Sequence, residues 1–142
     1  MEMKKTMGVT VRPRMFVREV TLANVTLVIQ FLLGMYINLY VEFPTSGPAD
    51  AWKFAWSSLP VAAHIILGTL GLLATIVMLV RSIIRKNRHW IVVASIGVAG
   101  LLLSVIGGET FITVQNELAS YLMSIGFLTT LLALNWGLYT QK

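Results

Sequence analysis

The sequence predicts an all-α fold, a four-transmembrane-helix bundle with N- and C-termini cytoplasmic. Three observations point there. Four long stretches, at about 20–41, 57–80, 90–108 and 118–140, carry almost no charge. The 142 residues are 56% hydrophobic and 12% charged, with mean hydropathy +0.78. A soluble domain needs about a quarter charged residues to cover its surface. Finally, nine of the eleven Lys and Arg precede the first stretch or lie between the second and third.

Each stretch is long enough, at about 1.5 Å per residue, to cross a hydrocarbon core of roughly 30 Å. Within lipid the backbone must satisfy its own hydrogen bonds, so such stretches form helices. The first follows Lys4, Lys5, Arg12, Arg14 and Arg18. A turn-forming run, Pro44-Thr45-Ser46-Gly47-Pro48, leads to the second, and Pro60 falls in its first turn, where the missing N–H costs nothing. Arg81, Arg85, Lys86 and Arg88 separate the second and third. The third is short and glycine-rich, and is expected to end at the pair Gly107-Gly108. The loop after the first span has only Lys53, and the loop after the third has no Lys or Arg. By the positive-inside rule both termini and the middle loop are expected in the cytoplasm, in a multi-pass protein of the cell membrane. No second domain, cleavable signal peptide or lipidation motif is expected.

Composition also excludes chemistry. There is no cysteine, so disulfides, thiolate metal sites and Cys nucleophiles are absent. Two histidines and six carboxylates leave little for a metal site, and none is expected. The net charge of +5 is topological, so lipid head groups rather than nucleic acid are the expected partners of these cations. Other membrane subunits or further copies of the chain are the expected protein partners.

Small and polar residues mark the interior of a bundle in lipid. Gln30, Gly34 and Asn38 share one face of the first span, and His64, Gly68, Gly71 and Thr75 one face of the second. Gly97, Gly100, Ser104 and Gly108 mark the third, and Ser120, Ser124 and Asn135 the fourth. Close packing of spans two and three through Gly68, Gly71, Gly97 and Gly100 is expected.

His64 is the most informative residue, because an ionisable group inside a span is expensive. It reads either as an interfacial imidazole bonded to a carbonyl or water, or as a haem ligand or proton relay. His89, beside Trp90, reads as an ordinary interfacial residue. Glu42, Glu109 and Glu117 gather on the outer side, with Tyr36, Tyr40, Trp52, Trp56 and Tyr121 as an aromatic belt. Spans two and four run in the same direction, so His64 and Met123 fall at similar depth. They are the candidate haem ligands. A cavity bounded by His64, Met123, Gln30, Gly34 and Glu109 is expected in the outer half.

The runs Gln30-Phe31-Leu32-Leu33-Gly34, Val61-Ala62-Ala63-His64-Ile65 and Ser104-Val105-Ile106-Gly107-Gly108-Glu109-Thr110 resemble one four-helix half of the heme A synthase family. That resemblance implies a helix-two histidine poised for haem and a second histidine near the start of helix four. Here that segment reads Tyr121-Leu122-Met123-Ser124, which departs from the pattern. The run from Gly34 to Pro44 also resembles small uncharacterised prokaryotic four-helix membrane proteins.

The function expected is an accessory or structural subunit of a larger membrane complex, respiratory or redox in character, and not an enzyme by itself. The alternatives are a haem-binding electron-transfer or oxidase-assembly protein using His64, and a small transporter.

Overall fold

The computed structural model describes residues 16–140. Lys4, Lys5, Arg12 and Arg14 of the basic cluster, and Lys142, lie outside the described residues. Five helices and no strand occur among the described residues: α1 (Val17–Tyr40), α2 (Pro48–Ser57), α3 (Leu59–Ile84), α4 (Arg88–Val114) and α5 (Glu117–Thr140). All but α2 are long and apolar enough to cross a membrane.

The four long helices form a ring. α1 touches α3 and α5, and α4 touches the same two, so α1 faces α4 and α3 faces α5 across the diagonals. At one end α2 packs on α3 and α4. At the other, the basic α3–α4 turn adjoins the start of α1.

Where the sequence predicts a loop, the chain forms α2. This helix starts with Pro48, whose fixed φ suits a first turn, after Gly47 at φ 144°, a backbone region that favours glycine. Ser46 Oγ donates to the Asp50 carboxylate at 2.6 Å. Ala51 and Ala55, one turn apart, are fully buried beneath it. A ten-residue amphipathic segment is too short and polar to register as a span, and only the wall it rests on makes it a helix.

Gly107-Gly108 also departs from its expected role. The pair does not end the helix, and α4 continues through Glu109 to Val114. Gly107 is instead a contact point: a Cβ there would lie 2.8 Å from the Ala119 carbonyl oxygen of α5. Without competing water, a helical glycine is retained where a neighbouring backbone comes close.

The tight seam also lies elsewhere than expected. α4 packs most closely on α5, not on α3. A Cβ at Gly100 would stand 2.7 Å from the Gly126 carbonyl oxygen, and one at Gly126 would strike the Gly100 carbonyl. Thr130 Oγ1 donates within this seam to the Gly97 and Gly126 carbonyls at 3.1 and 3.0 Å. Gly97 does meet Thr75 of α3, but Gly68 faces α1 and Gly71 has open space beside it. Sequence spacing identifies a small-residue face, whereas the order of helices in the ring decides which neighbour it meets.

Two apolar cores stack along the bundle. The one toward the basic turn contains Val20, Leu27, Met78, Trp90, Val93, Leu101 and Leu134. There Phe16 meets Trp90 edge-on at 5.2 Å, and Arg81 lies over Phe16 while pairing with Glu19 at 3.0 Å. The core under α2 contains Ile37, Ala51, Ala55, Val61 and Ile112.

A candidate ligand cavity between the two cores

Between these cores lies a cavity of about 390 Å³. Leu27 and Leu101 of the first core form its floor, together with Phe31 and Phe127, whose rings stack at 5.2 Å. Its roof comes from Phe43, Trp52, Phe111 and Ile112 at the α2 end.

One wall is the α1–α3 seam. Gln30 and Gly34 stand one turn apart on α1, and His64 and Gly68 one turn apart on α3. The helices run antiparallel, so each large polar residue meets the other helix's glycine. A Cβ at Gly34 would lie 3.0 Å from His64 Cε1, and one at Gly68 would lie 2.8 Å from Gln30 Nε2. Gln30 Nε2 donates to the His64 carbonyl at 2.8 Å, which satisfies half of the amide. Its other atom, Oε1, and His64 Nδ1 are buried without a hydrogen-bond partner. Such atoms are rare, since each forfeits about 1–3 kcal/mol of lost hydration.

The facing wall belongs to α4 and α5. Met123 lines the cavity from α5, across the diagonal from His64. Its side chain also rests on a glycine, since a Cβ at Gly108 would lie 3.4 Å from Sδ. Ser104 Oγ donates to the Met123 carbonyl at 3.0 Å. Asn38 extends the polar wall toward α2 and accepts from Ser120 Oγ at 3.3 Å. Glu109 lines the cavity from α4 and is itself exposed. His64, Met123, Gln30, Gly34 and Glu109 line the same cavity.

Among the described residues His64 and Glu109 are the ionisable members of the lining, and no Lys or Arg contributes to it. Among the described residues no three His, Cys, Asp or Glu gather closely enough to hold a metal ion. His89 lies at the opposite end of the bundle, where its Nε2 pairs with the Gly137 carbonyl at 3.0 Å.

The α2 roof and an amide pair are not legible in the sequence. Asn24 Nδ2 donates to Asn135 Oδ1 at 3.1 Å, with a reciprocal contact at 3.3 Å, joining α1 to α5 below the cavity. Asn24 is 111 residues from its partner in sequence and off the Gln30 face, so only its polarity inside an apolar span marked it. No family model matches the chain, and neither a curated protein nor a solved structure matches it significantly.

Proposed function

We propose that this chain is a small subunit of the cell membrane, with both termini cytoplasmic, whose contribution to a larger assembly is to hold a small apolar molecule in the cavity beneath α2. The cavity carries this reading. Its volume is in the range of about 300–1,000 Å³ typical of small-molecule sites. Its lining also follows their usual pattern, mostly hydrophobic and aromatic with a few convergent polar groups. The accessory role is supported by how little lies outside the spans. Between them the described chain has one ten-residue helix and short turns. With the basic α3–α4 turn inside, α2 and the cavity belong to the outer leaflet half.

The test is to purify the full chain from its native membrane in mild detergent. Extracted small molecules are identified by mass spectrometry and co-purifying polypeptides counted. A stoichiometric apolar molecule together with fixed partner subunits is the expected result. An empty, solitary chain that retains none would overturn the reading.

A second reading, haem held by His64 and Met123, is favoured by one observation. The two residues line one cavity from diagonally opposed helices. The fit is incomplete. A ligating imidazole normally donates its other nitrogen to a carbonyl or carboxylate, yet His64 Nδ1 has no partner. The lining also has no cation to meet the two propionates. A Soret band lost in His64→Ala and shifted in Met123→Ala would establish this reading over the first.

A further inference from the structure

The cavity's chemistry narrows what it holds. Resting on the reading above, we infer that the occupant is an uncharged, membrane-dissolved amphiphile whose head is a planar ring bearing carbonyl or hydroxyl groups, as in a lipid-soluble quinone or phenol. An anionic head, whether fatty acid, phospholipid or porphyrin propionate, would meet no Lys or Arg in the lining and would face the carboxylate of Glu109. Leaving such a charge unpaired in an apolar site costs far more than its tail gains. Gln30 Oε1 and His64 Nδ1 are buried and unpartnered in the α1–α3 seam that borders the cavity, and a wholly apolar occupant would leave them so. Among uncharged heads, one with oxygen substituents offers these groups a partner.

The walls suit a ring. Phe31 and Phe127 below and Phe43, Trp52 and Phe111 above give the cavity aromatic ends. A neutral imidazole offers one donor and one acceptor, so His64 can serve a ring carbonyl or a ring hydroxyl alike. The Gln30 amide has already committed its nitrogen to the His64 carbonyl, and its oxygen is the one acceptor left to it.

The route is lateral. Helices α1 and α5 are bridged by the Phe31–Phe127 stack and by the Ser120–Asn38 hydrogen bond. Helices α4 and α5 are sealed by glycine contacts from Gly137 to Gly107. On the α3–α4 side Gly97 meets Thr75 below the cavity, while above that contact Thr69 and Val105 line the cavity and are exposed. A molecule dissolved in the bilayer can enter there without crossing water.

The detergent-purified full chain is titrated separately with a benzoquinone carrying a decyl tail, with decanoate and with hemin. Saturable one-to-one binding of the quinone, with decanoate at least about tenfold weaker, is the expected outcome. His64→Phe, which keeps a ring on Gly34 but removes both nitrogens, should weaken the quinone about tenfold, the value of roughly one hydrogen bond. Val105→Trp should slow its uptake by a similar factor. If decanoate or hemin binds as tightly as the quinone or displaces it, the head-group assignment fails while a ligand-holding cavity stands. Unchanged quinone affinity in His64→Phe, together with unchanged uptake in Val105→Trp, would place the quinone elsewhere and also overturn the inference. Binding of none of the three, by a chain that also retains no native molecule, overturns both readings.

Discussion

Gln30 and His64 hold each other's helices by a reciprocal arrangement. The Gln30 amide nitrogen donates to the His64 main-chain carbonyl at 2.8 Å and occupies the space over Gly68, while the His64 ring occupies the space over Gly34. Each polar side chain needs the other helix's glycine. The lock positions both residues on the cavity wall and leaves Gln30 Oε1 and His64 Nδ1 unspent. Cavity formation and α1–α3 packing are thus one structural fact.

Gln30→Leu should therefore be less harmful than Gly34→Leu. The first removes a hydrogen bond worth about 1 kcal/mol and also one unpartnered oxygen. The second drives a branched side chain into an imidazole already 3.0 Å from where a Cβ would begin. Overpacking of this kind costs about 1–3 kcal/mol. Thermal melting in detergent should rank wild type, Gln30→Leu and Gly34→Leu in falling order; the opposite order of the two variants would contradict the lock.

Gly100→Ala and Gly71→Ala should behave oppositely. At Gly100 the added methyl meets the main-chain carbonyl of Gly126, which has no rotamer with which to yield. A loss of roughly 1–3 kcal/mol is expected there. At Gly71 nothing lies within 4 Å, and alanine is the better helix former. Equal melting temperatures for the two variants would remove the α4–α5 seam from the account.

Asn24 and Asn135 should be coupled by about 0.6 kcal/mol, the average found for interhelical hydrogen bonds in lipid. A double-mutant cycle with Asn24→Leu and Asn135→Leu, unfolded in mixed micelles, measures it. Strict additivity would mean that the pair contributes nothing beyond its separate parts.

Orientation can be read without first removing native thiols, because the chain has no cysteine. Thr45→Cys, exposed before α2, should react with an impermeant reagent added outside intact cells. Arg85→Cys, exposed in the basic turn, should react only after lysis. The reversed pattern would place the cavity in the inner leaflet half.

Ala55, fully buried under α2, tests the roof. Ala55→Glu should dislodge the helix and lower the melting temperature, since a charge would be buried without a partner. Trp56→Glu changes a residue that is 57% exposed and should not. Equal effects would mean that α2 is not seated on the bundle.

The amino-acid sequence by itself determined what can be settled by solvation along the chain. Four uncharged stretches must be helices where no water can satisfy their backbone. The helices α1, α3, α4 and α5 lie where those stretches predicted them, with ends shifted by a few residues, save that α4 runs on to Val114. Periodicity likewise placed Gln30 with Gly34 and His64 with Gly68 on single faces, because 3.6 residues per turn is a local property. What only the tertiary structure decided is which face meets which. Gly100 turned to Gly126 rather than to α3, and Gly107 stayed helical because α5 approaches its backbone. The short α2 exists because a surface receives Ala51 and Ala55. Asn24 found Asn135 across 111 residues of sequence. In lipid every helix exterior is about equally apolar, so hydrophobic pattern cannot choose neighbours. That choice falls to close backbone approach and to a few buried hydrogen bonds, which exist only once the ring has formed.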